Sequence, residues 1–318
     1  MHSSLAHNHL PNAWKLTTHA GKIRRFNFFG SLLDTLILSE VLIYQIGYVW
    51  LDVMHRKSAF FTWLREFAGT TLGGSHSLTW LGGLIAIGLL YFFVNFLIKN
   101  IFNAGLIHLI KAYIDQDEKS YKTMKAFTFG WRKSVKLAEY HSLLFWSKPV
   151  YIFYIFFWGY RFLHDNWNVI IGIAIGFMIL LAVTRLLFEY ARYYIIVNDS
   201  GVFEALGLSV MMTMENFGVT LRLFFSLILV YSREFVLLLA IFFLPFLMSW
   251  IIALQLGPIF LQGVFIILGL VYLLFLIIVS AMNSVIEIFV ESLWFSVFRE
   301  NSSSHTPVIH ESHHSSHH

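Results

Sequence analysis

The arrangement of this chain is clearest in residues 189–221, which read EYARYYIIVNDSGVFEALGLSVMMTMENFGVTL. A hydrophobic helix is predicted to end near Val197, and Asn198 to Gly201 are residue types that terminate one helix and cap the next. The helix predicted for residues 202–216 is amphipathic, which is typical of a helix lying on a membrane surface. We therefore predict a membrane-spanning helix followed by a surface helix, a join that recurs elsewhere in the chain.

The composition indicates a helical membrane protein. The chain is 58% hydrophobic and only 13% charged, whereas an ordinary soluble domain has ~45–50% apolar and ~25% charged residues. Several apolar runs extend past the ~20 residues that are needed to span a bilayer. We predict an all-α polytopic membrane protein with about six spans, at about residues 28–53, 78 to beyond 99, 143–163, 169–197, 220–252 and 259–298. For the second span, a continuation of the helix to Ile114 is left open.

The predicted spans divide the chain into a polar arm at residues 1–25, a six-span domain at 26–298 and a His- and Ser-rich tail at 299–318. Most lysines and arginines fall on one side of the membrane in this arrangement, including Lys22, Arg24 and Arg25 just before the first span. Because cytoplasmic loops carry the excess of Lys and Arg, we predict cytoplasmic termini and a location in the plasma (bacterial inner) membrane. This topology accounts for the net charge of +4, and no nucleic-acid partner is expected.

The join is predicted to occur more than once. Helix exits are expected at Ala104, Ala191 and Ala281, which are nearly evenly spaced. The first is followed by a basic amphipathic helix at about residues 120–139, and a further interfacial segment is predicted at 55–75. The spacing suggests a threefold repeat of an amphipathic helix and a hairpin of two spans.

The same stretch also carries a family resemblance, in Ala191, Asp199, Gly201, Glu204, Ala205, Ser209 and Asn216. These residues resemble a recurring pattern in prokaryotic six-span membrane proteins, namely the Yip-like families and the membrane-domain relatives of glycerophosphodiester phosphodiesterases. In that family the phosphodiesterase activity belongs to a separate soluble domain. The resemblance therefore implies a fold and no catalytic residues.

Ionisable residues within spans are costly and often functional. Arg185, Glu189 and Arg192 are spaced to share one face of the fourth span, and Glu287 and Glu291 one face of the sixth. Two interpretations remain open for this set: a structural ion-pair network, or a site for an anion or a lipid headgroup.

A second polar group lies in the first and fifth spans. Asp34, Glu40 and Gln45 lie in the first span, and Arg233 and Glu234 in the fifth. They form a candidate polar path for a proton or cation. The alternative is that each is paired, protonated or near the interface.

The tail contains further candidate ligands. Histidine-rich tracts can bind transition metals, and the alternative here is a flexible solvated tail. No metal or cofactor is predicted, and the histidines concerned are His310, His313, His314, His317 and His318.

The sequence contains no nucleotide-binding, zinc-protease or serine-hydrolase motif, and its lack of cysteine excludes thiolate catalysis. We predict a non-enzymatic scaffold or accessory subunit of a larger membrane protein complex, in contact with other membrane subunits and with bound phospholipids. The alternative is a small transporter or channel for an ion or small solute that uses the intramembrane carboxylates.

Overall fold

The structure is a computed structural model that describes residues 4–53, 77–117, 119–144, 150–162, 166–225, 236, 239 and 258–302. Within these residues the regular elements are all helices, and no strand is found. The prediction of an all-α chain is therefore confirmed for this part of the protein. The predicted interfacial segment at residues 55–75, most of the fifth span and the histidines of the tail lie outside it.

The helices are numbered in chain order. Residues 217–225 are also helical, and a five-residue π-helix at Val94–Ile98 joins α3 to α4. The bounds are α1 Ser4–His19, α2 Gly21–Val53, α3 Ser77–Phe93, α4 Lys99–Ile114, α5 Thr123–Leu143, α6 Val150–Phe162, α7 Trp167–Phe188, α8 Ala191–Val197, α9 Val202–Glu215 and α10 Pro258–Ser302.

In the part of the chain that the structure describes, three continuous helical stretches are long and apolar enough to cross a membrane: Gly88–Ile114, Trp167–Val197 and Ile266–Ser302. They correspond to the predicted second, fourth and sixth spans. Within the described residues, the chain is thus a helical protein with helices that could cross a membrane, as its composition indicates.

The longest helix, α10, has two different halves. Its 45 residues extend for about 68 Å at 1.5 Å per residue, roughly twice the ~30 Å hydrocarbon core of a bilayer. Apolar side chains from Ile266 to Ile278 are largely exposed, whereas Trp294, Phe295 and Phe298 are fully buried. The first half therefore suits lipid, and the second half is the centre of a packed body. The helix runs on to Ser302, so the first residues of the predicted tail are helical.

The main hydrophobic core lies at this end of the molecule. We call the packed body the head; it consists of α1, the start of α2, α4, α5, α8, α9 and the C-terminal part of α10. The largest buried side chains are aromatic, and they include Tyr190, Tyr193 and Trp294. In α1, Ala13 and Leu16 are buried, so the N-terminal arm contributes to this core. The spans meet in the head, and their apolar surfaces are exposed beyond it.

Two joins between a span and an amphipathic helix share their local geometry. α4 is followed by Gln116 with φ of 56°, and α8 by Asp199 with φ of 60°. A left-handed residue at this position ends a helix, and α5 or α9 begins a few residues later. At the first predicted exit, α4 continues through Ala104 to Ile114 before its turn. At the third, α10 continues through Ala281 to Ser302, since no Gly or Pro interrupts the sequence from Val271 to Ser302.

The two amphipathic helices use small residues to approach their spans. A Cβ atom added to Gly130 of α5 would lie 2.2 Å from the backbone oxygen of Ile101 in α4. In α9, the Ser209 hydroxyl donates a hydrogen bond of 2.8 Å to the carbonyl of Leu187 at the end of α7. Both helices therefore lie directly against the backbone of a span.

Candidate functional site

The structure brings together most of the ionisable residues predicted near the ends of the fourth and sixth spans. The Arg192 guanidinium lies between two carboxylates, contacting Glu189 of its own segment and Glu291 of α10. Arg185 approaches Glu189 from the preceding turn, with 3.5 Å between Nη1 and Oε2. The Glu189 side chain is only 2% exposed, whereas the Arg185 side chain is 30% exposed, so the network is buried around Glu189 and reaches solvent at Arg185.

Two tyrosines lie beside these charged residues, and neither is predicted from the sequence. The Tyr193 hydroxyl donates a hydrogen bond of 2.8 Å to Glu291 and accepts one of 3.1 Å from Arg192. Tyr140 of α5 donates a hydrogen bond of 2.9 Å to the carbonyl of Phe188, where α7 ends. We call Arg185, Glu189, Arg192, Tyr193 and Glu291 the ion network.

The position of the ion network indicates what it does. Glu189 and Tyr190 form the turn between α7 and α8, and Glu291 lies in the buried half of α10. The network therefore joins this turn to the central helix of the head. A buried ion pair adds little net stability over an apolar packing, but loss of one partner leaves an uncompensated buried charge.

Glu287, the fifth predicted member, contacts a different helix. Its Oε2 accepts a hydrogen bond of 3.1 Å from the Asn27 side chain of α2, which also donates one of 3.2 Å to the carbonyl of Ser284. Asn27 begins a row of small polar residues at every fourth position of α2, and all are buried: Asn27, Ser31, Thr35 and Ser39.

This row faces α10 and bonds to it. Ser31 donates a hydrogen bond of 3.0 Å to the carbonyl of Ser280, and Asn283 donates one of 3.2 Å to Thr35. We call the row from α2, together with Ser280, Asn283 and Ser284, the polar ladder. Small residues and interhelical hydrogen bonds are characteristic of helix packing in membranes, so the packing of α2 on α10 accounts for the polar residues of α2.

The predicted intramembrane path is only partly within the described residues. Asp34 forms an ion pair with Lys99 at the start of α4, with 2.7 Å between the charged atoms. Glu40 is exposed on α2. The described part of the chain does not include Arg233, Glu234 or the side chain of Gln45. Within it, one member of this group, Asp34, is paired with a lysine.

A further ion pair connects the two joins. The Asp199 carboxylate contacts Lys133 at 2.5 Å and Lys136 at 2.6 Å, both from α5. Hydrogen bonds from Lys133 and Lys136 lower the pKa of Asp199 to about 2. The sequence marked Asp199 only as a helix-stopping residue, and its partners could not be identified because they are distant in the sequence.

A polar groove of about 1170 Å³ lies between α1, α4 and α10 at the end of the head. Its walls are tied by contacts between distant segments: His9 lies 2.9 Å from Glu300, and Arg299 lies 2.9 Å from Asp115. No sequence pattern indicates this groove, because it depends on the N-terminal helix lying beside the end of α10.

Among the described residues, no group of three or more His, Cys, Asp or Glu side chains is placed to hold a metal ion. The tail residues His310, His313, His314, His317 and His318 lie outside this part of the chain. Comparison with protein-family models, with curated proteins and with solved structures finds no match.

Proposed function

We propose that this protein is a non-catalytic integral membrane protein that serves as a scaffold or accessory subunit of a larger membrane complex. The observation that carries the proposal is the use of the predicted site residues in contacts between helices. Arg192 joins Glu291, Asp34 joins Lys99, and Glu287 contacts Asn27. Groups held in such contacts stabilise an arrangement of helices.

The alternative function, a small transporter or channel for an ion or small solute, needs carboxylates that face a water-filled path. The Asp34 side chain is mostly buried and neutralised by Lys99, which favours the structural role. Glu40, Arg233 and Glu234 remain its candidate residues.

Two measurements distinguish the two functions. The protein is extracted from its native membrane in polymer-bounded discs and analysed by native mass spectrometry. The scaffold proposal expects a stoichiometric membrane protein partner, and purified protein in liposomes should conduct no protons or cations above empty liposomes. An isolated chain that catalyses proton or cation flux would contradict it.

Within the same proposal, the chain has six spans, both termini on the cytoplasmic side and a location in the bacterial inner membrane. The contact of His9 with Glu300 supports termini on one side. Since the chain has no cysteine, single cysteines at Ser3 and Ser303 can test this with an impermeant thiol reagent. Both should react only after the cells are opened.

We also propose that the two joins are copies of one repeat unit. Their left-handed turn residues and their small-residue helix faces support this relationship. The resemblance to the six-span families rests on the residues of the second join, and we extend it to this chain as a proposal about fold alone.

A further inference from the structure

The amphipathic helices α5 and α9 present three faces in the same order. Small residues at every fourth position form the face packed on the spans: Ala126, Gly130 and Ser134 in α5, and Ala205, Ser209 and Thr213 in α9. Each helix has a second row of large apolar side chains, centred about 100° around the helix from the small face at 3.6 residues per turn. We call these the lateral rows: Met124, Phe127, Trp131 and Val135 in α5, and Phe203, Leu206, Val210 and Met214 in α9.

The lateral rows are exposed at both ends of each helix. The exposed fraction is 75% for Met124 and 67% for Val135 in α5, and 73% for Phe203 and 62% for Met214 in α9. Trp131, in the middle of its row, is also exposed. Aligned apolar surface of this kind marks an interaction site, and it has the same position relative to the span in both helices.

Contacts between α9 and the end of α7 fix the position of α9 relative to the lipid-facing part of that span. The hydroxyl groups of Ser209 and Thr213 donate hydrogen bonds to the carbonyls of Leu187 and Leu186. Val183, an exposed apolar residue of α7, precedes Leu187 by four residues, which is about 6 Å along the helix. The middle of α9 thus lies just beyond the lipid-facing part of the span.

The depth of α5 is similar. Gly130 lies against the backbone of Ile101, five residues or about 7.5 Å along the chain from the exposed Phe96. Phe127 of the lateral row contacts Phe102 of α4 edge to face, with 6.5 Å between ring centroids. The row is therefore continuous with the apolar surface of the span. Interfacial helices bury their apolar face ~5–10 Å into the boundary between headgroups and acyl chains, which matches both depths.

The third face differs between the helices in charge. In α5 it exposes the cations Lys122, Lys125 and Arg132 and one acid, Glu139, whereas in α9 it exposes Glu204 and Glu215. Lys133 and Lys136 of α5 are engaged with Asp199. Cations beside an inserted apolar face attract anionic lipid headgroups, and this arrangement is present on α5 alone.

We infer that α5 and α9 insert their lateral rows into the interface of one membrane leaflet, and that α5 binds anionic phospholipid there. A protein partner on the same rows is the competing occupant. The inference concerns the membrane contact of the head and holds whether or not the chain serves as a scaffold.

The absence of cysteine allows a direct test on the full chain in lipid nanodiscs. Single cysteines at Met124, Val135, Phe203 and Met214 carry a nitroxide spin label. Lys125→Cys and Glu204→Cys, on the charged faces, are the controls. Labels in the lateral rows should be accessible to oxygen and protected from a water-soluble nickel complex, and the controls should show the reverse. Lateral labels that are accessible to nickel, or shielded from both reagents as under a protein, would overturn insertion.

Lipid charge is varied in a second comparison. The label at Val135 should be deeper in discs containing phosphatidylglycerol than in discs of phosphatidylcholine alone, whereas the label at Met214 should be unchanged. Adding Lys125→Gln and Arg132→Gln should abolish the difference at Val135. No effect of phosphatidylglycerol at Val135, or an effect that survives both substitutions, would overturn the assignment of anionic lipid to α5.

Discussion

The Tyr193 hydroxyl donates a hydrogen bond of 2.8 Å to the Glu291 carboxylate, joining α8 to the buried half of α10. Arg192 lies on the same carboxylate, so two neighbouring residues hold one acid. Their guanidinium and ring are also in contact, with 4.9 Å between Cζ and the ring centroid. The contacts of Arg192 and Tyr193 with Glu291 fix the position of α8 against α10, the central helix of the head.

Removal of the central cation should be strongly destabilising. Arg192→Met leaves Glu189 and Glu291 buried without their shared partner, and loss of one member of a buried ion pair costs about 3–5 kcal/mol. Unfolding of the purified protein in detergent, by heat or denaturant, measures the change. Arg222→Met, at an exposed arginine, is the matched control and should change stability by less than about 0.5 kcal/mol. Equal effects of the two substitutions would contradict the role given to the ion network.

A large side chain in the polar ladder should lower the stability of the protein. Ser280→Leu places a branched apolar group where Ser31 bonds to the Ser280 carbonyl, and overpacking of this kind costs about 1–3 kcal/mol. The neighbouring Ala281→Leu makes a comparable change at an exposed position of the same helix and should be tolerated. Thermal unfolding of both variants in detergent measures the difference, and a tolerated Ser280→Leu would show that α2 does not pack there.

The same substitution at two glycines should have opposite effects. Gly130→Ala would force a Cβ to 2.2 Å from the Ile101 carbonyl, separating α5 from α4 at a cost of about 1–3 kcal/mol. Gly207→Ala in α9 meets open space and should stabilise the helix by about 0.5–1 kcal/mol. Denaturant unfolding of each variant gives the sign, and a stabilising Gly130→Ala would contradict the close approach of α5 to the span.

The α2 helix shows what the sequence could and could not predict. Its polarity is evident from the sequence, and Asp34 and Glu40 are the candidate residues because charges in a membrane are costly. The row of Asn27, Ser31, Thr35 and Ser39 was visible as an i, i+4 pattern but had no identified partner. Only the packing of α2 on α10 reveals that this face is buried.

In the rest of the chain, the features that depend on neighbouring residues could be predicted from the sequence. Helix periodicity placed Arg185, Glu189 and Arg192 on one face, and the end of α8 and start of α9 followed from Asn198 to Gly201. The sequence could not identify Lys133 and Lys136 as the partners of Asp199, nor the groove beside α1, because both depend on contacts between segments far apart in the chain.

The ion pair of Asp199 should stabilise the protein less as the pH falls into the acid range. Its pKa falls from 3.8 to about 2 on folding, so its contribution is fully present above pH 3.8 and is lost as the pH falls through about 2. Asp199→Asn removes the charge and keeps a residue that tolerates the left-handed conformation. The stability difference between wild type and variant should be constant near neutral pH, shrink below pH 3.8, and weaken at high salt because the pair is exposed. Unfolding curves against pH and salt measure it, and a difference that grows in acid would contradict the pairing.

We infer that the polar groups between α2 and α10 hold these helices together and do not line a path for water. Ser31→Cys and Ser280→Cys place nearly isosteric thiols in the polar ladder of a chain without cysteine, and Ser142→Cys provides an exposed control. The measurement is the rate of reaction with a charged, membrane-impermeant thiol reagent in proteoliposomes. We expect the cysteine at position 142 to react readily, and those at positions 31 and 280 to react only after denaturation. Rapid labelling at positions 31 and 280 in the folded protein would show a wet path between α2 and α10 and would contradict it.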